Sequence, residues 1–172
     1  MAVVRGEAGP AGPAIDERGP WRRLARVVVA IDGLRASEGI LALAAGVGDH
    51  VMVVHAVEYY IGHLGAFPLI SDEEATRVVE SAAFEARLHG SAATTAVLWG
   101  SGTPVANRIV QAAESWGAQA IVLGSRRIRG VRRLRGRGTR EKILRASNLP
   151  VLVSPSEPAP EPNGRHVANK RT

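Results

Sequence analysis

Two stretches of this chain carry side chains that could do chemistry, one suited to holding an anion and the other to accepting from hydroxyl groups. The first runs from Gly117 to Lys142. It opens with Ala120-Ile-Val-Leu123, a short apolar run with the length and composition of a buried parallel strand. The run stops at Gly124-Ser125 and becomes a glycine-punctuated loop with arginine at 126, 127, 129, 132, 133, 135, 137 and 140. Thr139 is expected to cap a helix over Arg140 to Ser147. A strand, a Gly-rich cationic loop and a helix N-terminus in succession suit a phosphate. Backbone N–H groups and the helix dipole face the anion, and glycine lets a ligand approach the main chain. The second stretch is Ala25-Arg-Val-Val-Val-Ala-Ile31, a β-branched run that ends in Asp32-Gly33 and so sets a carboxylate at a strand tip. A carboxylate there can accept from sugar hydroxyls, although an Asp-Gly pair also serves turn chemistry alone.

The charge is concentrated. Residues 124–142 hold nine of the 22 Lys and Arg and one of the 16 acids, a local balance of +8. The rest of the chain, with 13 basic against 15 acidic residues, is at −2. The sequence pI near 10.9 therefore belongs to one loop. A solvated connection is the usual fate of a charge run. Here neighbouring arginines repel one another, so a bound polyanion would relieve repulsion as well as add charge-assisted contacts.

The elements that must position these residues follow from the pattern. At 172 residues and 45% hydrophobic content, one domain with a proper core is expected, spanning 21–155. Residues 1–20 and 156–172 are rich in Gly, Pro and charge and read as disordered tails. Zero cysteines exclude disulfides, thiolate catalysis and zinc-thiolate sites. With no leader pattern and no apolar run of bilayer length, a cytoplasmic, soluble protein with no membrane contact is expected. After the first strand, Ile40, Leu41 and Ala44 recur at helical spacing over Arg35–Ala45, and Val51–Val57 is a second strand. Glu58–Ile70 reads as a long aromatic-bearing connection. Ser71-Asp-Glu-Glu74 is a capping box, with Glu74 reaching back, for a helix to about His89. Thr94–Trp99 is a third strand. A helix follows, with Thr103 as cap and Pro104 at its first position, and it ends at Gly117. Val151–Val153 is a fifth strand. Strands alternating with helices demand an α/β fold, a parallel sheet with helices on both faces. Ligands of such sheets bind beyond the strand C-termini.

Other signals are weaker. Gly100-Ser-Gly102 begins like a dinucleotide fingerprint, but Val105 stands where the third glycine belongs. The five histidines show no metal-ligand spacing, His55 reads as a strand residue, and no nucleophile–base set or carboxylate pair is evident.

From Arg26 to Pro155 the chain resembles the universal stress protein family. The likeness rests on VVVAIDG, VVHAVE and WGSGTP, and above all on AAESWGAQAIVLGSRR through EKILRASNLPVLVSP. The resemblance implies a five-stranded parallel sheet of order 3-2-1-4-5, an adenine nucleotide alpha-hydrolase-like, Rossmann-like three-layer sandwich. It also implies a regulatory, non-catalytic role and a homodimer formed through the last strand. Nucleotide-binding members carry G-x2-G-x9-G-(S/T) after the fourth strand. Gly124 fits the first glycine and Arg127 replaces the second. Counting straight through puts Arg137 and Gly138 at the last two positions; a one-residue insertion makes Gly138-Thr139 that pair instead. By this resemblance Ala30, Asp32, Ala56 and Leu123 would contact adenine and ribose, and Gly124, Arg126 and Arg127 would lie near the phosphates. The cofactor so implied is ATP or another adenine nucleotide, with or without Mg. Two alternatives stand beside it: an interaction module that binds no nucleotide, and polyanion or nucleic-acid binding through the Arg126–Arg140 loop. With no interleaved aromatics to stack bases, the last would be blind to sequence.

Overall fold

The computed structural model describes residues 23–33, 38–124 and 138–154. The expected tails, residues 1–20 and 156–172, lie outside them, as do Arg126 and Arg127. The valine-rich runs form the strands β1 (Leu24–Ile31) and β2 (Gly48–Ala56). With β5 (Ala92–Leu98), β6 (Ala120–Gly124) and β7 (Val151–Ser154) they make one five-stranded sheet. Its order is β5-β2-β1-β6-β7, parallel throughout. Counting only these five strands along the chain, this is the expected order 3-2-1-4-5.

The sheet is covered on both faces, so its central strand is apolar on both. Val27 and Val29 of β1 pack with Leu41 of α1 (Glu38–Val47) and Val79 of α2 (Asp72–Leu88). Val28, one residue out of phase, packs instead with Ile109 of α3 (Val105–Trp116) and Ile143 of α4 (Thr139–Ala146). The period-2 alternation of a strand thus divides one valine run between two cores. In α2 the stripe Ala75, Val78, Val79, Ala82, Ala83 and Ala86 is buried as its spacing predicts. Ser71 caps this helix, its Oγ accepting from the Glu74 N–H at 3.2 Å. The neighbouring Glu73 has its pKa lowered, first by a backbone hydrogen bond and then by one from Ser71.

Three local expectations change. The connection after β2 contains an antiparallel hairpin, β3 (Tyr59–Gly62) and β4 (Gly65–Pro68), with Tyr60 opposite Phe67. Its two-residue turn, His63-Leu64, is followed by Gly65 at φ 126°, a left-handed backbone that glycine adopts without strain. A lone two-stranded ribbon is marginal. This one is tied down where Leu69 N–H donates to the Glu58 carbonyl (3.0 Å) and Gly100 N–H to the Tyr59 hydroxyl (3.2 Å). The other two changes are caps. Pro104, not Thr103, occupies the N-cap of α3, because its ψ of 141° is extended, and Val105 starts the helix. Gly138, not Thr139, caps α4 with ψ 162°, so Thr139 is the first helical residue. Glycine at an N-cap costs only a few tenths of a kcal/mol relative to Ser or Thr.

Helix α1 passes into β2 with no intervening residue, and Gly48 makes the junction possible. A Cβ on Gly48 would meet Val27 Cγ2 at 2.8 Å and the Ala44 carbonyl oxygen at 3.2 Å. Gly48→Ala is therefore expected to cost about 1–3 kcal/mol of overpacking, read as a lower urea midpoint at unchanged slope.

Candidate functional site

The parallel register brings three strand ends to one side of the sheet. Ala30 pairs with Val54 on one side and with Leu123 on the other, and Ile31 pairs with His55. Asp32 therefore emerges between Ala56 at the end of β2 and Gly124 at the end of β6. Adjacent strands are roughly 4.8 Å apart. Here the winding also reverses, β1 and β2 leading outward to β5, and β6 to β7 on the other side. A crevice at such a reversal is where wound sheets take their ligands.

Asp32 is exposed, and the chain turns sharply after it at Gly33, whose φ is 96°. Ala56 and Leu123 are buried in the apolar cluster on the α3–α4 side, and Ala30 packs against the same cluster. These three residues thus form an apolar bed on one face. On that face α4 begins at the exposed Gly138 and Thr139. Among the described residues no side chain caps its leading N–H groups, and the positive end of the helix dipole lies there. Gly124 has no left-handed backbone, and an added Cβ would only touch Ile40 Cδ1 at an ordinary 3.7 Å. Internal packing does not require glycine there. His55 is buried, with Nδ1 3.2 Å from the Ile31 carbonyl oxygen, and ties β2 to the end of β1.

Of the residues singled out in the sequence, Ala30, Asp32, Ala56, Leu123 and Gly124 gather at adjacent strand ends, and Gly138 and Thr139 lie on the same face. Arg126 and Arg127 lie outside the described residues. Beside this crevice, toward β2 and β5, is a cavity of about 330 Å³. Tyr59, Gly100, Val105, Arg108, Thr139 and Lys142 contribute to its walls, so Thr139 is common to crevice and cavity. Arg108 escaped the reading of the sequence. It is 8% exposed on the inward side of α3, donating from Nη1 to the Leu98 carbonyl (2.6 Å) and from Nη2 to the Val57 carbonyl (2.9 Å). The available signal was an arginine set among Ala106, Ile109, Val110 and Ala113, on a stripe otherwise apolar. Among the described residues no three His, Cys, Asp or Glu side chains converge as a metal site, and no helix is long and apolar enough to cross a membrane.

The sequence profile of the Universal stress protein family matches residues 24–155. Among solved structures, a universal stress protein from Archaeoglobus fulgidus superposes with a TM-score of 0.58 at 26% identity, over 77% of this chain and 95% of that one. A structure of the universal stress protein from Archaeoglobus fulgidus in complex with dAMP matches with a TM-score of 0.55 at 26% identity, over 76% and 98%. A member of the family from Burkholderia pseudomallei gives a TM-score of 0.55 at 25% identity, over 77% and 96%. No curated protein matches the chain.

Proposed function

This chain belongs to the universal stress protein family, and from that premise we propose that it is a regulatory domain that binds an adenine nucleotide at the ends of β1 and β6 without efficient catalysis. The observation that carries the reading is the register pair Ala30–Leu123, which brings the backbone after β1 and the backbone at Gly124 to the same end of the sheet. The dAMP complex of the Archaeoglobus fulgidus relative supports the ligand class. In this reading Asp32 accepts from the ribose hydroxyls, and Ala30, Ala56 and Leu123 bed the adenine and sugar. Gly124, Gly138 and Thr139 offer backbone N–H groups to the phosphates, with Arg126 and Arg127 nearby. A Mg²⁺ ion would arrive with ATP, held chiefly by its phosphates. Hydrolysis is expected to be slow, because among the described residues no water-activating side chain is evident at the strand ends.

Isothermal titration with AMP, ATP and ATP–Mg²⁺ tests this. Heat saturating at one nucleotide per chain is expected, and no heat at high micromolar concentrations would overturn it. A homodimer through β7 belongs to the same proposal, supported by that strand's place at the edge of the sheet and by Val153, 39% exposed upon it. So does a cytoplasmic location, for which composition is the support. The alternative of polyanion binding through the Arg126–Arg140 loop rests on its +8 charge balance over 124–142. It would show as affinity that falls steeply with salt.

A further inference from the structure

We propose that the cavity between the β3–β4 hairpin and the first turns of α3 and α4 is a phosphate-binding subsite, with Arg108 at its base. This inference shares Thr139 and the start of α4 with the nucleotide reading and extends it to Arg108, the start of α3 and Lys142. Arg108 is more than nine-tenths buried and forms part of the cavity wall. Its guanidinium carries five N–H donors. Two hydrogen bonds go to the carbonyls of Leu98 and Val57, and Nε, without a partner, is closed to solvent, so the guanidinium would act on a ligand in the cavity through its charge rather than through Nε. Among the described residues no carboxylate pairs with it. A buried cation facing only carbonyl dipoles is under-compensated, and an oxyanion in the cavity would supply the missing charge.

The rest of the cavity suits the same ligand. Two helices begin in its wall, α3 at Pro104-Val105 and α4 at Thr139, and among the described residues no side chain caps either. Both present the positive end of a helix dipole. Lys142, one turn into α4, adds a second cation. Tyr59, Ile61 and Val105 give the remaining wall an apolar surface, suited to the carbon body of a small phosphate ester. A volume near 330 Å³ lies at the small end of ligand sites, which span roughly 300–1,000 Å³. Glu58 lines the cavity as well and is exposed, so it opposes an anion electrostatically.

The charges of opposite sign make the test independent of folding. The full-length protein, ¹⁵N-labelled, is titrated with inorganic phosphate and followed by amide shifts at Gly100, Val105, Ala106 and Thr139. These shifts are expected to saturate. Lys142→Gln should weaken phosphate roughly two- to fivefold and Glu58→Gln tighten it by a similar factor, the range of a screened surface charge. Arg108→Met should weaken it by at least about tenfold. Should that variant fail to fold, the Lys142 and Glu58 pair decides. Shifts confined to 124–138, or the same affinity in Lys142→Gln, Glu58→Gln and the unmodified chain, would overturn the proposal.

Adenosine, AMP and ATP form the second arm. If free phosphate moves the Gly100–Ala106 amides, the subsite takes a separate molecule. If only ATP moves them, still through Lys142 and Glu58, the phosphate is the nucleotide's own tail. Adenosine that leaves Ala30–Gly33 and Ala56 unmoved sinks the nucleotide reading alone, while a phosphate response at Gly100–Ala106 stands on its own.

Discussion

Asp32→Ala is expected to weaken AMP and ATP binding by about one to two orders of magnitude while leaving the melting temperature nearly unchanged. The reasoning starts from position. The register of β1 with β6 puts this carboxylate at the reversal of the winding, and the residue is exposed. A hydrogen bond to a charged group contributes about 1.5–3 kcal/mol, and each 1.4 kcal/mol is a factor of ten in affinity. Stability should fall by no more than about 1 kcal/mol, the net worth of an ordinary hydrogen bond at an exposed residue. Calorimetric titration beside a thermal melt separates the two quantities. A lowered melting temperature at unchanged nucleotide affinity would make Asp32 a structural turn residue and leave the strand-end crevice without its sugar contact.

Leu41→Ala should have the largest effect on stability, a loss of about 2–5 kcal/mol. Leu41 is fully buried in the cluster that holds Val27, Val29, Val51 and Val53 from the sheet with Val79 from α2. Truncation leaves a hole between three elements that cannot easily close on it. Against a total stability of about 5–15 kcal/mol for a domain, such a loss puts the variant near its unfolding threshold. Urea denaturation measures it. A cost below about 1 kcal/mol would mean that α1 does not pack on the sheet as described, and with it would go the framework that holds the end of β1.

The parts of this fold that could be read from the sequence are those where one physical signal acts alone. Val27 to Val29 are β-branched and unbroken, and a strand buried on both faces needs little else. In α2, Ser71 and the alanine–valine stripe mark a start and a face in the same few residues. Where two signals compete, reading failed by a residue or more. Thr103 and Thr139 have the better cap chemistry, yet backbone conformation at Pro104 and Gly138 placed each helix start. The β3–β4 hairpin was missed because its strands are only four residues long and its aromatics suggested a loop. The flanking glycines with two residues between them were the signal. At the strand ends, Ala30, Asp32, Ala56, Leu123 and Gly124 come together because the parallel order dictates it, and α/β alternation had already demanded a parallel sheet. Arg108 was not legible as a cavity residue. Its meaning depends on the carbonyls of Leu98 and Val57, ten and fifty-one positions away.

The place of β1 in the middle of the sheet also governs the order in which a growing chain can be completed. One side of β1 finds β2 soon after synthesis, but its other side waits for β6, since Val27 pairs with Ala120. Some 68 residues separate the end of β2 from the end of β6, so at about 5–20 residues per second roughly 3–14 s separate the two events on a ribosome. Throughout that interval a valine-rich ribbon offers open backbone to any passing strand. Fragments that stop short of Ala120 should thus be clients for chaperones rather than soluble half-domains.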